Sequence, residues 1–207
     1  MLTFLSAGLV LGLSAGFSPG PLATLVISQT LRYGIKEGIK VALAPLLTDV
    51  PIIFLSLLVL TRLANFKIIL GLISLLGGLF ILSLAYGSLK IKQLDQPTQG
   101  LAAQSISKGI LVNALSPHPY LFWLTVGAPL ILKAYGQNWV ASLLFLITFF
   151  GCLVGSKIIL AVVSGSSRHL LTDRLYRTIM RALGILLVFF AILLLKEGLV
   201  LLGLLTF

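Results

Sequence analysis

Apolar residues run along this chain in long blocks separated by short polar stretches. The blocks predict six helical spans, over residues 2–31, 38–60, 67–88, 105–132, 138–163 and 179–203. Each is long enough for a hydrocarbon core that needs ~20 residues of helix. Helix is the expected state because lipid offers an open backbone no hydrogen-bond partner. The longest polar stretch, KIKQLDQPTQG from Lys90 to Gly100, parts the spans into two sets of three. The predicted organisation is a three-helix unit over residues 1–88, a cytoplasmic linker over 89–104, and a second three-helix unit over 105–207.

Two of the blocks are interrupted at their centres by the residues least suited to helix. The first span carries SPGPL, with Ser18, Pro19, Gly20 and Pro21; the fourth carries SPHPY, with Ser116, Pro117, His118 and Pro119. Prolines remove backbone donors and bend the chain. The two interruptions begin 98 residues apart, each in the first span of its half. With three spans per half, the second half enters the membrane upside down. That is the pattern of an inverted repeat with discontinuous helices meeting near mid-membrane. The same offset carries Asp49 onto Ile147, which is apolar, so the repeat is imperfect. The fold expected is an all-α membrane protein whose six transmembrane helices form two inverted three-helix repeats with broken first helices.

Composition and charge sharpen this picture. The 207 residues are 58% hydrophobic and 10% charged, against roughly 25% charged for a soluble domain. The 15 Lys and Arg against 5 Asp and Glu sit in short loops, which reads as an orientation signal rather than a nucleic-acid surface. Arg32, Lys36, Lys40, Lys90, Lys92, Lys108, Arg168, Arg174, Arg177 and Arg181 follow odd-numbered spans; Arg62, Lys67 and Lys133 follow even ones. Odd loops are therefore expected in the cytoplasm of an inner-membrane protein, with both termini outside. The N-terminal MLTFLSAGLVLGLSAGF lacks a basic leader and is expected to be a retained span. The single cysteine, Cys152, allows no internal disulfide and suits a small buried side chain.

Few residues could carry chemistry. Asp49 lies about eleven residues from either end of the second span, flanked by Pro45 and Pro51. An acid at that depth costs at least ~2.5–3.5 kcal/mol to insert, so it faces a cavity or a partner. Lys157, in the fifth span, is the candidate counter-charge, although a lysine stem can also snorkel. Lys196 and Glu197 are neighbours, which do not face one another on a helix, and read as an interface feature. Gly8, Gly12, Gly16 and Gly20 recur every four residues, as do Gly151 and Gly155; the ladder suits close packing within one subunit or the seam of a homodimer. Tyr120 and Trp123 suit core or lipid-facing packing better than a cavity wall. Arg174, Arg177 and Arg181 form a stripe after Thr172, suited to lipid headgroups or to orientation. His118, His169 and Cys152 have no metal-ligand spacing, and no nucleotide-binding glycine loop occurs. No cofactor, no metal and no catalytic residue are expected.

The stretch GFSPGPLATLVISQTLRYGIKEGIKVALAPLLTDV resembles the LysE/RhtB family of amino-acid exporters. In that family a Pro-Gly-Pro break precedes a glycine-spaced basic loop and then a membrane acid. Pro19, Gly20, Pro21, Gly34, Gly38 and Asp49 match that order. The family's second break is Asn-Pro; here it is Ser116-Pro117, with Asn113 three residues earlier. The resemblance implies a secondary exporter of amino acids driven by proton exchange. Half-helices starting after Pro21 and Pro119 would aim their positive ends at a carboxylate. Asp49 would hold an ammonium group or a proton, and one half would rock against the other. Two rivals stand beside this. A metal-ion exporter of the same superfamily would lean on Asp49, His118 and Asn113 as ligands. A membrane scaffold or lipid-handling protein would leave Asp49 idle.

Overall fold

The computed structural model describes residues 1–59, 66–89, 104–167 and 173–204. Most of the predicted linker, with Lys90 and Lys92, lies outside these residues, as do Arg62, Arg168, His169 and Thr172. Among the described residues the chain is helical, with no strand. In order come α1 (Leu2–Phe17), α2 (Pro21–Tyr33), α3 (Ile35–Ala42), α4 (Ala44–Val59), α5 (Phe66–Leu89), α6 (Ser105–Ala114) and α7 (Pro117–Phe122). A π-helical turn (Trp123–Gly127) follows, then α8 (Ala128–Gln137), α9 (Trp139–Ser166) and α10 (Asp173–Leu201).

Both expected interruptions are present. A residue before proline is pushed out of the helical region. Ser18 accordingly has φ −56° and ψ 126°, Gly20 is fully extended, and α2 starts on Pro21. α1 and α2 together are apolar enough for one span, bent by 60° at the break. Ser116, with φ −96° and ψ 134°, ends the second interruption. The helix there starts at Pro117, not after Pro119 as expected. Prolines in a first turn lack only a donor that has no intrahelical partner anyway. From Pro117 the chain continues helically through the π turn and α8.

Among the described residues, three helical segments are long and apolar enough to cross a membrane by themselves: Ile35–Leu58, Trp139–Ser166 and Arg177–Leu201; the bent α1–α2 pair makes a fourth. α5 is a further apolar helix, of 24 residues. Large apolar side chains such as Phe54, Leu72, Ile147, Ile159, Ile185 and Ile192 point outward, as lipid allows.

Glycines fix the closest contacts. Gly8 faces Phe145 and Thr148, Gly12 faces Phe149 and Cys152, and Gly16 faces Leu153 and Ser156. The matched four-residue steps show that α1 and α9 run parallel. Gly8, Gly12 and Gly16 are therefore filled within the chain, whereas Gly20, Gly151 and Gly155 meet nothing within 4 Å. Gly71 faces Gly198 and Leu202, Gly78 faces Ala191 and Leu195, and Gly184 faces Leu89, so α5 and α10 run antiparallel. α6 sits on the α3–α4 junction, where Gly109 meets Val41 and Ala44. α2 is buried along nearly its whole length, in a core with Val41, Ile81, Val112 and Leu187.

Candidate functional site: a cavity between two broken helices

The breaks at Ser18–Gly20 and Ser116 border the same cavity, about 400 Å³ in volume. It falls within the usual range for small-molecule sites. Ser18, Pro19, Gly20 and Pro21 line it from the first break, and Asn113, Ser116, His118 and Pro119 from the second. Asp49 and Lys157 complete the polar lining, and Phe122, Trp123, Phe149, Leu153 and Phe190 contribute apolar walls. Of the residues of the two breaks, with Asp49, Asn113 and Lys157, only Pro117 is not in the lining; it is buried at the start of α7. Gly20 has open space where a β-carbon would stand, so it faces the cavity and not a helix neighbour.

Asp49 is 5% exposed and holds two other elements together. Asn113 Nδ2 donates to Asp49 Oδ1 at 2.7 Å and to Thr48 Oγ1 at 2.6 Å. Trp123 Nε1 donates to Asp49 Oδ2 at 3.2 Å. The Thr48 hydroxyl lies 3.1 Å from the Ala44 carbonyl and 3.3 Å from Oδ1; its one proton can serve only one of them. Both carboxylate oxygens thus have a neutral donor, one from α6 and one from the π turn. Pro51, inside α4, withholds the donor that the Leu47 carbonyl would receive, which loosens the backbone beside Asp49.

Lys157 is 4% exposed, so its stem does not reach an interface. Its Nζ donates to the Gly16 carbonyl at 3.1 Å. That carbonyl belongs to the last turn of α1, where the break at Ser18 removes the next intrahelical donors. A cation there also complements the negative end of the helix. Lys157 and Asp49 line one cavity but form no ion pair with each other.

Trp123 was the unexpected member. It is fully buried, meets Phe149 and Phe150 edge-on and face-on at ring-centroid distances of 5.1 and 5.9 Å, and overlies Gly127. A β-carbon on Gly127 would collide with the indole. The π turn beginning at Trp123 closes with the Ala128 amide donating to the Trp123 carbonyl. Such turns frequently accompany functional sites. Tyr120, read as a packing residue, donates its hydroxyl to the Ala114 carbonyl at 2.8 Å, satisfying a group freed by the second break.

No curated protein and no solved structure gives a match to the chain. The family model for the LysE type translocator matches residues 13–198, a stretch that includes both breaks, Asp49 and Lys157. Members are transporters rather than enzymes, in keeping with a multi-pass apolar helical chain. By this match over most of its length, the chain belongs to the LysE type translocator family.

Proposed function

We propose that the chain exports amino acids, or similar small zwitterions, across the cytoplasmic membrane in exchange for protons. The observation that carries this reading is an acid and a base lining one cavity without pairing to each other. A zwitterion answers both. Its carboxylate suits Lys157 and the N-terminal end of α2, where the Leu22 and Ala23 amides have no helical acceptor. Its ammonium suits Asp49, and Phe122, Phe149 and Leu153 offer an apolar wall to a side chain. Asp49 is also the group that would carry a proton in exchange.

We infer that the six spans form two inverted three-helix repeats, residues 1–88 and 105–207, joined by the cytoplasmic linker. Parallel α1 and α9 are consistent with the first and fifth of six alternating crossings. Antiparallel α5 and α10 are consistent with the third and sixth. Rocking of one half against the other would expose the cavity alternately. Cysteines placed singly at Gln99 and Gln137 are expected to label from opposite sides of the membrane; labelling from one side would overturn the repeat.

A metal-ion exporter is the weaker reading. Lys157 brings an ammonium into the same cavity, which opposes a second cation. Among the described residues no three His, Cys, Asp or Glu side chains cluster as metal ligands. The discriminating experiment is transport by the purified chain in sealed vesicles against a panel of amino acids and divalent metals. Proton-gradient-driven movement of an amino acid is the expected result. Movement of metals alone would establish the rival, and movement of neither would point to a scaffold or lipid-handling role.

A further inference from the structure

The buried apolar side chains of the described residues fall into two main clusters, and the Asp49 cavity lies on the border between them. Leu22 of α2, Val112 of α6 and Leu194 of α10 belong to one cluster. Phe149 and Leu153 of α9 belong to the other, with Phe122 of α7 packed against it. All six line the cavity.

The polar groups of the lining are placed differently. Ser18 stands at the first break, and Asn113, Ser116 and His118 stand at or beside the second. Lys157 is tied to the first break through the Gly16 carbonyl, and Asp49 to the second through Asn113. Apart from the indole N–H that Trp123 gives to Asp49, the other side chains of the lining are apolar. Phe122 stacks on Phe149 with ring centroids 5.1 Å apart, and α10 adds the half-buried ring of Phe190.

A zwitterion whose ammonium and carboxylate are held by Asp49 and Lys157 leaves its side chain to these walls. A leucine or phenylalanine side chain would touch both clusters and close the gap between them, whereas alanine would leave their facing atoms without contacts. A lysine side chain would bring in a second ammonium, and among the described residues Asp49 is the only acid in the lining. A glutamate side chain would set two carboxylates against Lys157 and beside Asp49. Burial of either extra charge without a partner is costly.

We propose that the cavity selects large neutral apolar amino acids, aliphatic or aromatic, and that Phe190 is a specificity-determining residue that reads their side chains from α10. This rests on the zwitterion transport reading above. Phe149 and Leu194 are core residues, 2% and 1% exposed; Phe190 is half-buried, so its ring can be cut back with less loss of core packing.

The test is counterflow by the full chain in liposomes, which needs no proton gradient and so separates recognition from coupling. Labelled leucine, phenylalanine, alanine, lysine and glutamate are each measured over a range of concentrations. Each buried methylene contributes about fourfold to binding, and leucine has three carbons more than alanine. Leucine and phenylalanine are therefore expected to half-saturate at a concentration at least about tenfold below that of alanine, lysine or glutamate. Phe190→Ala, with folding checked by size-exclusion chromatography, is expected to narrow the leucine-to-alanine ratio at least about fourfold. Phe190→Val serves the same purpose should Phe190→Ala not fold, and the wild-type series decides independently of either. Alanine, lysine or glutamate saturating at or below the concentration for leucine, or an unchanged ratio in the folded variant, overturns the proposal and leaves the transport reading standing. Counterflow of none of the five overturns both.

Discussion

The two broken helices satisfy the same need with different chemistry. At the second break the Ala114 carbonyl takes the hydroxyl of Tyr120, a neutral donor only six residues away. At the first break the Gly16 carbonyl takes the ammonium of Lys157, a charged donor 141 residues away in the other half of the chain. Tyr120 demonstrates that a freed carbonyl beside this cavity can be satisfied without a charge. The positive charge of Lys157 therefore exceeds what the backbone requires. Asp49 completes a crossed arrangement, since it lies in the first half but is held by Asn113 and Trp123 around the second break. Each half sets its charge against the other half's break, and the two charges are opposite in sign.

The sharpest way to break this comparison is to part the helices that support the first break. In Gly12→Leu the new β-carbon would stand 2.5 Å from the Phe149 carbonyl oxygen and 2.9 Å from Cys152 Cβ. Backbone cannot yield there cheaply, so loss of a monodisperse folded protein is expected by size-exclusion chromatography. Gly20→Ala meets nothing within 4 Å and is expected to fold normally. Any loss of transport in that variant then reports on the cavity and not on packing.

Lys157→Met tests the charged cap itself. Removing a charge-assisted hydrogen bond of about 1.5–3 kcal/mol, and the ligand's counter-charge with it, is expected to lower exchange about 10- to 100-fold. Tyr120→Phe removes a neutral bond of about 0.5–1.5 kcal/mol and is expected to lower exchange less than about tenfold. Initial rates in proteoliposomes measure both. If Tyr120→Phe proved the more damaging, the distinction between a charged and a merely structural cap would fail.

Much of the site could be read from the sequence because membranes make its signals conspicuous. Two proline clusters inside apolar runs, and an acid and a base buried among them, have few alternatives in lipid. The missed features are long-range. Nothing local marks Trp123 as a donor to Asp49, 74 residues away, and an indole in an apolar run has an ordinary packing role. A constant offset of 98 pairs Asp49 with Ile147, but the helical stretch after the second break runs over 117–137, against 21–33 after the first, so no single offset aligns the two halves. The second half-helix began at Pro117 because proline early in a first turn continues a helix as readily as it interrupts one in the interior.

The central claim is that Asp49 works through its charge. Asn at this position keeps the shape and one acceptor oxygen for Asn113 or Trp123, but its amide nitrogen cannot accept from the other and the group cannot ionise. The most direct measurement is proton-driven amino-acid export by Asp49→Asn in proteoliposomes, with folding checked by size-exclusion chromatography and the external pH varied. The account predicts a folded, membrane-inserted protein whose driven export is lost at every pH. Export at the wild-type rate across that range would contradict it, and would reduce Asp49 to a neutral tie between α4, α6 and the π turn.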